Sequence, residues 1–498
     1  MSRRTGRIAL ATFLLAAALF RVIWVLRGPL PLSPDETYFW DWSRHPAWCY
    51  YDMGPMIAWI ISLSTRLLGD TEIGVRIGAI VLSGVTSALF YSLSLDILDD
   101  VPMSLATVLL WNLIPIGAAG SLINTYYCPQ VLFWTLSLIV LRKAIATGFW
   151  RWWIFLGTAL GFGLLSHHTF IELTGETALY LMLSPRGRPW LKRPQPYFAL
   201  ALAVVIFLPA LLWNVHHEFA TFRHASGQLG TGSSVVRSLL DYVGGQAGVI
   251  TPLAFLGVIA GLWRCGRLAL RERDDRAIFL LSTSAPLLLF IGSLAFARRT
   301  EANWPVSAYV SGFIAMAWMI QGWSPTAGRG FLGATLAMAL FASVIAHFPH
   351  ALCGLYDLPP SSDPTNRLYG WRELGESVTR ARVQAPNSFI CALDYAMPGE
   401  MSFYTAGHPQ GYCLPVSWRR NQYDFWNIDK ERGRDAIYAE MGDGEVQPEV
   451  RALFDSVTLA DRIVVLKDCG AGLERKKFSV FVCRSFHGYS EEDKNKKF

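Results

Sequence analysis

Long apolar runs separated by short polar turns fill the first 350 positions of the chain. They recur at 8–26, 74–95, 101–119, 129–147, 150–166, 169–184, 197–214, 246–264, 276–297, 303–321 and 329–348. A helix needs about 20 predominantly apolar residues to cross a bilayer, because its backbone must satisfy its own hydrogen bonds there. The pattern therefore predicts a polytopic α-helical membrane protein with about 11 or more spans. The closest pair, 150–166 and 169–184, meets at Ser166-His167-His168. The run PMIAWIISLSTRLLG at 55–69 is too short to cross and reads as an amphipathic helix lying at the interface. Beyond 348 the pattern changes. SFICALDY (388–395), RIVVLKD (462–468) and SVFVCRSF (479–486) read as strands, and 398–406 and 435–441 as helices. The expected organisation is a membrane domain over 1–348, with a first outer loop at 27–73, and a C-terminal soluble α/β domain over 349–498.

Charge sharpens that division. Hydrophobic residues make up 52% of the chain and charged residues 16%. Of the 82 charged residues, 40 lie in the last 148 positions. A wholly soluble enzyme, a disordered protein and a small disulfide scaffold are excluded. Arg3, Arg4 and Arg7, the Arg142/Lys143/Arg151 turn, the 186–193 loop and the 264–276 loop all fall on one side of the predicted spans. Basic loops face the cytoplasm, so 27–73, 119–128, 214–245, the turn at 298–302 and the tail lie on the other side. The net charge of +6 follows from those cytoplasmic loops and implies no nucleic-acid partner. The first run follows three arginines, as a signal peptide would, but lacks a small-x-small cleavage site and reads as an uncleaved helix. None of the eight cysteines shows zinc-type spacing. Cys469 with Cys483, and Cys391 with Cys413, are placed to bridge in an oxidising compartment or to stay as buried thiols.

The chemistry gathers on the outer side. The first outer loop reads LSPDETYFWDWSRHPAWCYYDMGPM, with Asp35, Glu36, Asp41 and Asp52 among seven aromatic side chains. Carboxylates accept hydroxyl protons and aromatic faces pack on sugar rings. An interfacial aromatic belt with solvated acids has the same composition. The turn ARRTEANWPVSAY carries Arg298, Arg299, Glu301, Asn303 and Trp304. Two arginines outside run against the topogenic bias, and a phosphate or carboxylate clamp, a lipid headgroup or Glu301 would each account for them. His167 and His168 are candidates for a divalent metal, the one cofactor this sequence suggests.

The run PDETYFWDWS…YYDMGPMIAWIISLSTRLLGDTEIGVRIGAIV resembles the first-loop signature of family 39 glycosyltransferases of the GT-C class. The class includes bacterial lipid A aminoarabinose transferases, rhizobial lipopolysaccharide galacturonosyltransferases and, more distantly, protein O-mannosyltransferases. The likeness continues at PQVLFWTLSL, LLWNVHHEFATFRH, RRTEANWPVSAY, MSFYTAGHP and NQYDFW. It implies an inverting transferase that takes a sugar from a polyprenyl-phosphate-linked donor to a lipopolysaccharide, lipid A or other lipid acceptor. A protein acceptor, or a non-catalytic lipid-sugar binding or transport protein, is the alternative. It implies a bacterial inner-membrane location with the active site and C-terminal domain in the periplasm, among membrane lipids. It further implies Asp35, with Glu36 beside it, as the catalytic acids, and Tyr50, Tyr51, Asp52 and the EANWP turn as substrate-binding residues. The chain departs from the family where Tyr127 stands in place of a second outer acid, and where His167-His168 replace a Lys-Tyr pair.

Overall fold

The computed structural model describes residues 1–227, 235–296, 300–348, 364–414, 416, 420–466 and 474–489. The chain is a multi-pass helical membrane protein carrying a C-terminal domain built on a mixed sheet. Among the described residues, seven helical stretches are long and apolar enough to cross a membrane: Arg3–Arg27, Glu72–Leu98, Tyr127–Thr147, Pro194–His216, Pro252–Arg271, Asp275–Leu294 and Pro325–His347. The other four apolar runs hold shorter helices, Val101–Leu113, Trp150–Ser166, Ile171–Leu183 and Ala308–Gln321. Pro115 explains one shortening. It turns Ile114 extended and starts a separate short helix, Pro115–Gly120. The Asp275–Leu294 stretch is itself broken at Thr283-Ser284, where the buried Glu176 accepts the Leu287 N–H freed by the break.

The first outer loop is not a loop. It folds into the helix Pro34–Ser43, a turn through Tyr50–Gly54, and the helix Met56–Leu68, which exposes Leu63, Leu67 and Leu68 along one side. Gly54 lies flat on the backbone of Leu165, where a Cβ would come within 2.1 Å of the carbonyl oxygen. The outer segment after Pro194–His216 forms two further helices, Ala220–Gly227 and Val235–Ile250.

In the tail, β1 (Phe389–Ala392), β2 (Gly411–Cys413), β3 (Ala436–Met441), β4 (Phe454–Leu466) and β5 (Glu474–Phe486) form one sheet in the order β2-β1-β3-β5-β4. β1 runs parallel to both β2 and β3, and the remaining pairs are antiparallel. The expected helix at 435–441 is in fact β3. It sits mid-sheet with both faces covered, so Ala436, Ile437, Tyr438 and Ala439 are all buried and the polar alternation that marks a strand is missing. Cys391 and Cys413 stand on neighbouring strands, and Cys469 lies outside the described residues. One face of the sheet packs on the helices Trp371–Gln384 and Ala396–Tyr404 through Trp371, Leu374, Met397 and Met401.

The tail docks on the membrane domain through Pro34–Ser43. Gly399 meets the Thr37 backbone so closely that a Cβ would stand 2.9 Å from its carbonyl carbon. Arg44 donates to Ser402 Oγ and the His408 carbonyl, Tyr404 OH to Glu72, and Arg372 pairs with Glu72 at 2.7 Å. Every one of these contacts joins residues 300 or more positions apart, so the helix bearing Asp35 is wedged between two domains.

Candidate active site

Ser33 caps the Pro34–Ser43 helix. Its hydroxyl accepts from the Glu36 N–H while the Glu36 carboxylate accepts from the Ser33 N–H, with Pro34 at the first helical position. That cap sets the phase of the helix and gives two adjacent acids opposite fates. Asp35 opens into a cleft of about 730 Å³, its side chain 42% exposed and its Oδ2 3.3 Å from Arg367 Nη2. Glu36 is fully buried. Arg76 grips both its oxygens, Nε to Oε1 at 2.9 Å and Nη2 to Oε2 at 3.0 Å, and spends its other N–H groups on the Leu30 and Pro31 carbonyls. Asn124 N–H adds a further bond to Glu36. Glu36 thus holds the helix, and Asp35 faces the space where chemistry can occur.

The Tyr50–Tyr51–Asp52 run divides in the same way. Tyr50 is buried, stacked on Trp42 at 4.6 Å, with its hydroxyl on the Trp42 and His45 carbonyls. Tyr51 and Asp52 line the cleft. Tyr38 donates to Asp52 Oδ2 at 2.8 Å, and Asp52 Oδ1 lies 3.1 Å from His224 Nε2. Glu301, Asn303 and Trp304 also line the cleft. Their turn is pinned by Gln246, which donates to the Ala302 carbonyl and accepts from Tyr309 OH at 2.6 Å. Arg298 and Arg299 lie outside the described residues. His167 stacks on Tyr126 at 4.2 Å and on His168 at 4.0 Å, and both histidines reach the cleft. Burial pushes both imidazoles well down, so they are neutral at physiological pH. Among the described residues no group of three or more His, Cys, Asp or Glu side chains assembles as a metal site.

Several lining residues were not singled out from the sequence: Tyr38, Tyr126, His224, Arg367, Tyr395 and Arg420. Two carried a usable signal, since His224 ends the LLWNVHHEFATFRH run and Arg420 directly precedes NQYDFW. Arg367 carried none. Arg420 lies over the rings of Phe425 and Tyr51, at 4.9 Å and 5.9 Å.

A second, apolar cavity of about 220 Å³ is lined by Trp111, Ile116, Ile123, Tyr127, Val131 and Val306. It shares Asp35 and Asn303 with the polar cleft. Tyr127, which stands where the family signature has an acid, therefore forms part of an apolar wall.

Residues 45–213 match the family described as dolichyl-phosphate-mannose-protein mannosyltransferase. The lipid A galacturonosyltransferase RgtD of Rhizobium johnstonii is 27% identical over 432 residues, 81% of this chain and 83% of that protein. The undecaprenyl phosphate-alpha-4-amino-4-deoxy-L-arabinose arabinosyl transferase of Pseudomonas savastanoi pv. phaseolicola is 28% identical over 235 residues, 43% of this chain and 42% of that protein. In sequence the chain is similar to GT-C glycosyltransferases. Its fold is that of ArnT from Cupriavidus metallidurans in the apo state, with a TM-score of 0.65 at 14% identity, over 97% of this chain and 98% of that one. The same protein solved with undecaprenyl phosphate gives the same TM-score over 98% of this chain and 100% of that one. The membrane domain and the tail both contribute walls to one cleft, and Asp35 stands where they meet.

Proposed function

We propose that this transferase moves a sugar from a polyprenyl-phosphate carrier to lipid A or another lipopolysaccharide acceptor on the periplasmic face of the bacterial inner membrane. The observation that carries this reading is the junction of the apolar cavity with the polar cleft at Asp35 and Asn303. A donor with a long apolar tail and a phosphate-linked sugar is apolar and polar in the same order. Its reacting carbon would lie at that junction. The activities for which the two relatives are named, on lipid A and with an undecaprenyl-phosphate-linked sugar, agree with it.

The carrier phosphate is a good leaving group, so the enzyme must align two substrates and stabilise the departing charge. Direct displacement inverts the anomeric carbon. Asp35 contacts the acceptor hydroxyl, and Glu36, through Arg76, positions the helix that carries Asp35. Tyr51, Asp52, Glu301, Asn303 and Trp304 bind the substrates, with Tyr50 supporting Tyr51 from behind. Arg298 and Arg299 belong to the same outer turn and serve as a phosphate or uronate clamp. Eleven crossings would leave the N-terminus and the tail on opposite sides, with the tail in the periplasm. A periplasm-active reporter fused after Tyr489 and one fused within the 264–276 loop test that topology, and the reverse pattern of activity would sink it.

The function is tested with the purified full chain, a radiolabelled polyprenyl-phosphate sugar and lipid A, alongside mass spectrometry of lipid A from cells with and without the protein. Transfer to lipid A, and loss of one sugar mass in its absence, is the expected result. Transfer to a secreted protein's Ser or Thr instead would favour the activity in the matching family's description. No transfer from any polyprenyl-phosphate donor would remove the enzyme reading.

A further inference from the structure

The cleft that holds Asp35 also holds an acid–imidazole pair. His224, on the helix Ala220–Gly227, sets Nε2 3.1 Å from Asp52 Oδ1, with side chains 6% and 8% exposed. Both nonetheless line the cleft. The Asp52 carboxylate is held from its other oxygen by Tyr38 OH, which in turn accepts the Gln422 N–H at 2.6 Å. The Tyr51 ring lies 4.6 Å from the imidazole and fixes its plane. A carboxylate and an imidazole are costly to desolvate, and apolar packing would have served a purely structural wall better. Asp35, by contrast, has the Arg367 guanidinium on its Oδ2. A carboxylate so engaged is better suited to orienting a hydroxyl than to removing its proton.

We propose that His224, oriented by Asp52, is the general base of the transfer, with Asp35 as the group that orients the acceptor. This deepens the transferase reading above and rests on it. Asp52 takes the Nε2 hydrogen, which selects the tautomer whose lone pair is on Nδ1. The acceptor oxygen attacks the anomeric carbon and forms the new glycosidic bond. The bond from that carbon to the carrier-phosphate oxygen breaks, and its electron pair leaves with the phosphate. The hydroxyl proton passes to Nδ1, and Asp52 stabilises the imidazolium that results.

Several charged and titratable groups face His224. Asp52 and Tyr51 approach from the first outer segment and His168 from the turn after Trp150–Ser166. Arg223 stands beside it and pairs with Glu218, and Arg420 reaches over Tyr51 from the tail. Asp35 and Glu301 lie elsewhere on the cleft wall. Burial first, and the neighbouring His224 second, pull His168 down to about 4. It stays neutral, so no second imidazolium opposes proton uptake.

The test uses the full chain in lipid nanodiscs with a radiolabelled polyprenyl-phosphate sugar and lipid A, measuring rates from pH 5 to 9. Wild-type kcat/KM should fall on the acid side of the profile. His224→Gln should lose about a hundredfold to ten-thousandfold in kcat at nearly unchanged KM, and lose that acid limb. Asp52→Asn should lose less and move the limb to lower pH, because the imidazolium loses its counter-charge. Added imidazole should restore part of the rate of His224→Ala, which a structural role would not allow. A His224→Gln enzyme with wild-type kcat and an intact limb overturns the proposal. So does a slow His224→Ala enzyme that imidazole leaves slow. If His224→Gln does not fold, the Asp52→Asn limb decides, and an unmoved limb overturns it. Wild-type turnover separates the two ideas, since a wild type that transfers nothing removes the transferase reading and this proposal together.

Discussion

The two walls of the cleft differ in charge and in origin. The wall from the membrane domain brings every acid among the described lining residues, Asp35, Asp52 and Glu301, with Tyr126, His167, His168, Arg223 and His224. The wall from the tail brings Arg367, Arg420 and Tyr395. A substrate whose head combines hydroxyl groups with a phosphate or carboxylate would meet hydrogen-bond acceptors on one side and guanidinium groups on the other. The tail is therefore part of the cleft wall as well as a cap on the helix Pro34–Ser43. The contrast between Asp35 and Glu36 repeats the lesson at the scale of one peptide bond, with one acid in the cleft and its neighbour in a buried ion pair.

Removing the charge at Asp35 tests the acidic wall most severely. Asp35→Asn should cost about a hundredfold to ten-thousandfold in turnover. Thermal stability should be almost untouched, because a half-exposed acid contributes little to folding. Near-full activity would take Asp35 out of the chemistry. The buried neighbour should behave in the opposite way. Arg76→Met strands the Glu36 carboxylate in the core and should cost about 3–5 kcal/mol of stability, seen as a lower melting temperature. The double variant Arg76→Met/Glu36→Gln should recover much of that loss. A stable single variant would mean that Glu36 is free to serve elsewhere.

The tail wall should respond in affinity. A charged hydrogen bond contributes about 1.5–3 kcal/mol, so Arg420→Ala should weaken donor or acceptor binding by about ten- to a hundredfold, with kcat less affected. If the contact is a two-point fork, Arg420→Lys should be nearly as weak. Substrate titrations that overlay wild type would reduce the tail to a structural role. The smallest effect concerns the seam between the walls. Burial pushes the carboxyl of Asp41, on the tail-facing side of its helix, up to about 6 against the opposing pull of Arg44. A raised carboxyl favours the protonated folded form. Its contribution is complete below the ordinary carboxyl range near pH 4 and is lost as pH rises through about 6. Wild type should therefore lose about 1–3 kcal/mol between pH 4 and 7 relative to Asp41→Asn. Parallel melting curves for the two proteins across that range would contradict the assignment.

Much of this architecture is written in local pattern. Apolar runs mark the membrane helices because lipid leaves the backbone no other partner, and Ser33-Pro34 with Glu36 spells out the cap of the helix that carries Asp35. The density of acids and aromatics in the first outer segment pointed to a stretch of chain that lines the cleft. It did not reveal that Asp35 and Tyr51 face the cleft while Glu36 and Tyr50 are buried, since that depends on helix phase and on what packs behind it. The identity of β3 was hidden for a related reason, because a strand covered on both faces loses its alternation. The guanidinium groups of the tail wall were beyond any local signal. Arg367 reaches Asp35 across 332 positions of sequence. Sequence by itself determined the elements and singled out a segment that lines the cleft, because hydropathy and capping act within a few residues. Tertiary structure alone decided which side chains meet there, because that follows from the docking of two domains on one short helix.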